Sequence, residues 1–170
     1  MELFDLYDID RRPLGRTMVR GGQQEPGTYR LVIHLCMINS RGEMLIQQRQ
    51  LHKDRYPGMW DISAGGFVQS GETVTDAVLR EAQEEIGVEF DEKSVRYVMT
   101  VPFSFVLDGF FAVQTDCRLE DFTPQPEEVA QLKWASLDEV LQLCKDGQFV
   151  DYDVNLLSYC FSSMQSSIVR

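Results

Sequence analysis

Glu81, Glu84 and Glu85 stand at i, i+3 and i+4 in the stretch GGFVQSGETVTDAVLREAQEEIGVEF, Gly65 to Phe90, a spacing that gathers three carboxylates on one helix face within a single turn. With Thr73 to Ile86 placed on a helix at about 100° per residue, Val74, Ala77, Val78, Leu79, Ala82 and Ile86 form one broad apolar arc, and Glu81 and Glu85 fall inside it. Like charges so placed repel one another, and burial raises the cost, so helix stability does not account for them. A solvated acidic face is the ordinary reading of a run such as EAQEE. Two features set that reading aside: the overlap with the apolar arc, and the Gly65-Gly66 pair, which brings open backbone close to the carboxylates. Hard divalent cations take several oxygen ligands, and Mg²⁺ completes its shell with water and phosphate oxygens. The chemistry implied is metal binding at the floor of a cleft.

Weaker candidates surround this helix. Arg49, Lys53 and Arg55 make the one locally basic patch and are candidates to meet substrate phosphates or carboxylates, with a solvated loop as the alternative. Trp60 and Tyr56 flank Pro-Gly and either stack on a ring of the substrate or pack internally. His34, in an apolar strand, reads as an internally bonded core histidine, and His52 as exposed; the two do not make a metal site. Cys36, Cys117, Cys144 and Cys160 are scattered with no CxxC pair, which points to reduced, mostly buried thiols and a cytoplasmic setting.

The elements that must position these groups follow from pattern. Leu3 to Tyr7 and Leu14 to Val19 alternate as a short hairpin closing near Gly21-Gly22, and QQEPGT reads as a linker. Tyr29 to Asn39 is a strand rich in branched residues, followed by the turn SRG and the strand EMLIQQR. QLHKDRYPG is a loop, and MWDIS a short strand leading into Ala64-Gly65-Gly66. Thr73 with Asp76 is a capping box that starts the long helix, and Gly87 is placed to end it. Val95 to Phe105 and Phe110 to Cys117 flank LDG as a hairpin. An acidic loop, EDFTPQPEE, precedes the strand VAQLKWA; Ser136 and Glu139 cap a helix, and a last helix lies around Asp153 to Met164. Hairpins around one isolated long helix favour an α/β layered domain, with a mixed sheet and helices packed on it.

A chain of 170 residues that is 44% hydrophobic is long enough for one core and short for two domains. The acidic, alternating start MELFDLYDID does not resemble a signal peptide, and the longest apolar run, Leu31 to Ile38, is too short to span a membrane. The net charge of −11 argues against nucleic-acid or anionic-membrane partners and requires a cation or a local basic patch for any phosphorylated ligand.

From Gly66 through Glu72, Arg80-Glu81, Ala82 and Glu84-Glu85 to Gly87-Val88, the chain resembles the Nudix box, G-x5-E-x7-R-E-U-x-E-E-x-G-U with U aliphatic. Every fixed position matches; Ala82 is smaller than the commoner aliphatic there. The resemblance runs from about Tyr29 onward, so it implies a Nudix domain over residues 29–170, an α/β/α sandwich with a mixed sheet, and leaves residues 1–28 as an extension. It implies a hydrolase that uses Mg²⁺ or Mn²⁺ to bind the diphosphate of a nucleoside diphosphate derivative, or a related small molecule, and to activate water against it. Glu81, Glu84 and Glu85 then correspond to metal ligands, Gly66 to a backbone contact near the metal, and Glu72 and Arg80 to a supporting pair. The general base is Glu81, or Glu127 or Glu128 in the PQPEEV loop.

Two rival readings stay open at this point. The chain also resembles the isopentenyl diphosphate isomerase branch of the superfamily, but that chemistry uses a cysteine in the strand entering the box, where Gly65 stands here. A nucleotide-sensing domain without catalysis is the other, although no acidic position of the box is lost. Selectivity is assigned to the loops Gln50 to Met59 and Leu119 to Glu128. Pro102, fifteen residues past Gly87, only partly matches the ADP-ribose hydrolase pattern. The amino-terminal hairpin extends the sheet, covers the cleft or joins two subunits as a homodimer.

Overall fold

In the computed structural model, which describes residues 2–164, the chain begins with an antiparallel pair, β1 (Leu3–Tyr7) and β2 (Pro13–Val19), forming a small sheet of their own. The central strand follows, β3 (Arg30–Ile38), and then β4 (Met44–Arg49), β5 (Trp60–Asp61) and β6 (Ala64–Phe67). Helix α1 (Val74–Ile86) leads to β7 (Arg96–Phe103), β8 (Val106–Gln114) and β9 (Val129–Ala135), and the chain closes with α2 (Leu137–Lys145) and α3 (Val154–Ser163).

Strand β3 organises the seven-stranded sheet: β8 runs parallel to it, β6 antiparallel, and β4 turns back from its end to pair with β5 and β9. Its alternation sets the layers, because successive side chains leave a strand on opposite faces. Ile33, Leu35 and Met37 join Ala77, Val78, Ala82 and Ile86 of α1 in one core. Cys36 and Ile38 join Val140 of α2 and Leu157, Cys160 and Phe161 of α3 in the other. The result is an α/β/α arrangement about a mixed sheet. Among the described residues, no helix is long and apolar enough to cross a membrane, and all four cysteines are free.

The hairpin between β7 and β8 turns earlier than its sequence suggests. LDG lies inside β8, where Asp108 pairs with Val32 and Gly109 with Ile33 of β3, and the turn falls at Ser104 and Phe105, with Ser104 at φ 53°. The Asp-Gly turn preference is local; the parallel register with β3 runs unbroken from Arg30↔Val106 to Ile38↔Gln114 and outweighs it. The strand expected from MWDIS is shorter, covering only Trp60 and Asp61.

Candidate active site

Helix α1 is fixed at both ends. Thr73 accepts from the Asp76 amide while the Asp76 carboxylate accepts from the Thr73 amide, and Gly87 closes the helix at φ 66°. A side chain at Gly87 would meet the Thr123 carbonyl at 2.7 Å. The last carbonyls of α1 are used rather than left open: Thr123 N donates to Ile86 O and Gln125 N to Glu85 O. The acidic loop is thereby tied to the end of the helix that carries the glutamates.

Glu85 points into the protein and is buried. Its Oε2 accepts from Gln47 Nε2 at 2.8 Å and from Gly65 N at 3.2 Å. Burial, with the charge of Glu81 second, pushes its carboxyl up to about 8 in spite of those two donors. Burial also raises Glu81, against the pull of Arg80. Gly66 explains how Glu81 fits: a Cβ there would lie 2.0 Å from Glu81 Oε1, so the carboxylate occupies the room that a side chain would take.

Arg80 binds this group together. Nε donates to Glu72 Oε1 at 2.7 Å, Nη1 to Glu81 Oε1 at 2.7 Å and Glu84 Oε2 at 3.2 Å, and Nη2 to Phe67 O at 3.0 Å. Its hydrogen bonds to Glu72 hold the Glu72 carboxyl below the usual range. Glu84 is the exposed member of the three. Glu81 and Glu84 thus turn toward Arg80 and Glu85 toward Gln47 and Gly65; among the described residues, no three His, Cys, Asp or Glu groups already converge as a ligand set. The donors are nonetheless hard oxygens within one turn, beside a backbone with no side chain in the way, which suits Mg²⁺ or Mn²⁺.

A cleft of about 460 Å³ opens beside Gly65 and Gly66, and Gln47, the partner of Glu85, lines it too. Arg49 and Arg55 line it; Arg49 donates from Nε to Arg55 O and lies 3.4 Å from Asp61 Oδ2. Tyr56 lines it too. Lys53 instead pairs with Glu128, and Glu127 is exposed. Trp60 packs against the core under α2 and α3, with Lys133 Nζ 4.7 Å from its ring centre, and is outside the cleft lining.

His34, Asp61, Asp108 and Tyr152 also line the cleft. Tyr152 OH donates to Asp61 Oδ1 at 2.8 Å and lies 3.2 Å from His34 Nδ1. His34 therefore differs from a fully bonded core histidine: its Nε2 is buried without a hydrogen bond. Sequence spacing does not find this set, because β3, β5, β8 and the segment before α3 each supply one member. The local signs are isolated polar residues inside strands: His34, Asp61 and Asp108.

Comparison with known proteins agrees with the geometry. The NUDIX domain family matches residues 28–155. A Nudix hydrolase of Listeria monocytogenes, lmo0368, is 38% identical over 152 residues, covering 89% of this chain and 90% of that protein. The crystal structure of DR0079 from Deinococcus radiodurans superposes with a TM-score of 0.77 at 25% identity, over 94% of this chain and 99% of that one. The NUDIX domain of Shewanella oneidensis NrtR, solved with ADP ribose, shares the fold at a TM-score of 0.64 and 18% identity, over 90% of this chain and 96% of that one. With its glutamate helix, its glycine strand and this extent of matching, the chain belongs to the Nudix hydrolase family.

Proposed function

We propose that the protein hydrolyses a diphosphate linkage in a nucleoside diphosphate derivative or a related small diphosphate, with Glu81, Glu84, Glu85 and the Gly66 carbonyl holding Mg²⁺ or Mn²⁺. The observation that carries this reading is the placement of Glu81 and Glu85, two carboxyls raised by burial, one turn apart beside a glycine whose missing side chain makes the room. A bound divalent cation would neutralise the diphosphate and make a bound water acidic enough to attack at neutral pH. Arg80, fixed by Glu72 and the Phe67 carbonyl, orients Glu81 and Glu84. Arg49 and Arg55 offer cationic donors at the cleft for phosphate oxygens.

Of the three acids considered as general base, the surroundings favour Glu81. Its carboxyl is mostly buried and raised by that burial, the direction a general base needs, whereas Glu128 is engaged by Lys53 and Glu127 faces solvent. An isomerase reading finds no support at Gly65, where a Cβ would stand 3.0 Å from the Ile33 carbonyl, tight for any side chain.

The test is phosphate or nucleoside monophosphate release from a panel of diphosphates, with Mg²⁺, with Mn²⁺ and with chelator, for the native protein and Glu85→Gln. Metal-dependent turnover that falls by about 10²-fold or more in the variant supports the proposal. Isomerised isopentenyl diphosphate without hydrolysis, or nucleotide binding without any turnover, overturns it.

A further inference from the structure

The far half of the cleft carries polar groups that diphosphate chemistry leaves unused. Its floor is a patch of the sheet in which Gly65 of β6, His34 of β3 and Phe110 of β8 lie in one row and Phe67, Val32 and Asp108 in the next, continued by Val101 of β7. Asp108 is two strands from the glycine end, roughly 10 Å by the ordinary strand spacing. That is the room a sugar-sized spacer needs between a diphosphate and a ring.

The hydrogen bonds on this floor favour one arrangement of its protons. The hydrogen of Tyr152 OH is given to Asp61 Oδ1, which also accepts from Ile62 N at 2.9 Å. With that hydrogen on Asp61, the Tyr152 oxygen is left to accept from His34 Nδ1, and in the tautomer that satisfies this contact Nε2 is an acceptor. Nε2 is buried and makes no hydrogen bond, although Asp108 Oδ1 is 3.2 Å away. That carboxylate is an acceptor as well, and the pair makes no hydrogen bond. Two acceptors side by side call for a donor from outside. Around them the walls are aromatic: His34 stacks on Phe110 at 4.7 Å and 16°, Tyr152 stands edge-on to His34, and Tyr56 and Phe103 are exposed at the rim.

We infer that this half of the cleft is a subsite for a planar heteroaromatic ring bearing an amino group, whose N–H donors are received by Asp108 and His34 Nε2. The inference rests on the diphosphate reading only for which end of the ligand lies beside Gly65 and Gly66. A ring with a carbonyl at the same position would set a third acceptor against two, and a buried polar pair left unmatched is what makes such sites selective. Asp108, two strands from the glycine end, sets specificity here together with His34, which pairs with Gly65.

The experiment is calorimetric binding of AMP against IMP and of CMP against UMP to the full chain with Mg²⁺ present, each pair exchanging an amino group for a carbonyl. The amino member of at least one pair is expected to bind about tenfold more tightly or better. Asp108→Asn, which can donate as well as accept, should reduce that ratio to near one or invert it, while Phe103→Ala at the rim should weaken both members of a pair alike. Equal affinity within both pairs, no binding by any of the four, or a ratio unchanged in Asp108→Asn overturns the inference. Because the readout is binding, it stands apart from turnover: a selective subsite with a silent hydrolysis panel would sink the diphosphate reading alone, and turnover without selectivity would sink the subsite alone.

Discussion

Glu85 holds a proton in the folded protein up to about pH 8, whereas its ordinary value is 4.5. Between those values the folded chain binds more protons than the unfolded one, so the metal-free protein loses stability as pH rises through that window. Glu81, raised by the same cause, adds to the slope in the same sense. Glu72, lowered by Arg80, acts in the opposite sense and only on acidification below the ordinary glutamate range. Thermal unfolding in chelator should therefore show the native melting temperature falling from pH 6 to pH 8.5 and a shallower fall in Glu85→Gln; an equal slope in both would show that Glu85 is not the group responsible. Gly66→Ala acts on the same carboxyls by shape. Its Cβ must displace the end of Glu81, and we expect a stability cost of about 1–3 kcal/mol with a loss of turnover of about 10²-fold, read by urea unfolding and steady-state kinetics.

Helix α1 turns local sequence signals into site geometry, and for that reason it was the most legible element. The Thr73/Asp76 capping box and Gly87 act within a few residues of themselves, so their spacing predicts the bounds that the structure shows. Glu81 and Glu85 could be picked out because charge broke an apolar arc. The polar set in the cleft offered only single polar residues inside strands. His34, Asp61, Asp108 and Tyr152 meet only through sheet pairing and the approach of the segment before α3, and the Asp-Gly at 108–109 pointed to a turn that long-range pairing with β3 overrides. The two ends of α1 should respond differently to change. Thr73→Ala removes a cap at the far end from Glu85 and should cost about 1 kcal/mol while leaving kcat unchanged. Gly87→Ala combines φ 66° with a 2.7 Å approach to the Thr123 carbonyl, so it should cost more than about 1 kcal/mol and also lower kcat, since Gln125 is bonded to the Glu85 carbonyl. Equal kcat in the two variants would contradict the coupling between this loop and the helix.

At the scale of the whole molecule, the proposed function asks a chain of net charge −11 to receive an anionic substrate. Arg49 and Arg55 supply local cationic charge at the cleft, and a divalent cation supplies the rest in our account. The family is that of the Nudix hydrolases, and the most direct test of the proposed metal dependence is the metal itself. With Glu85 as a ligand, as proposed, binding displaces its proton, so affinity should rise from pH 6 to pH 8 and binding should release protons. Titration calorimetry of Mn²⁺ into the full chain at pH 7, in two buffers of different ionisation enthalpy, measures both quantities. We predict saturable binding with release of on the order of one proton per metal, and in Glu85→Gln a loss of that release with affinity at least about tenfold weaker. Undetectable Mn²⁺ binding, or binding with the same affinity and proton count in Glu85→Gln, would contradict the account.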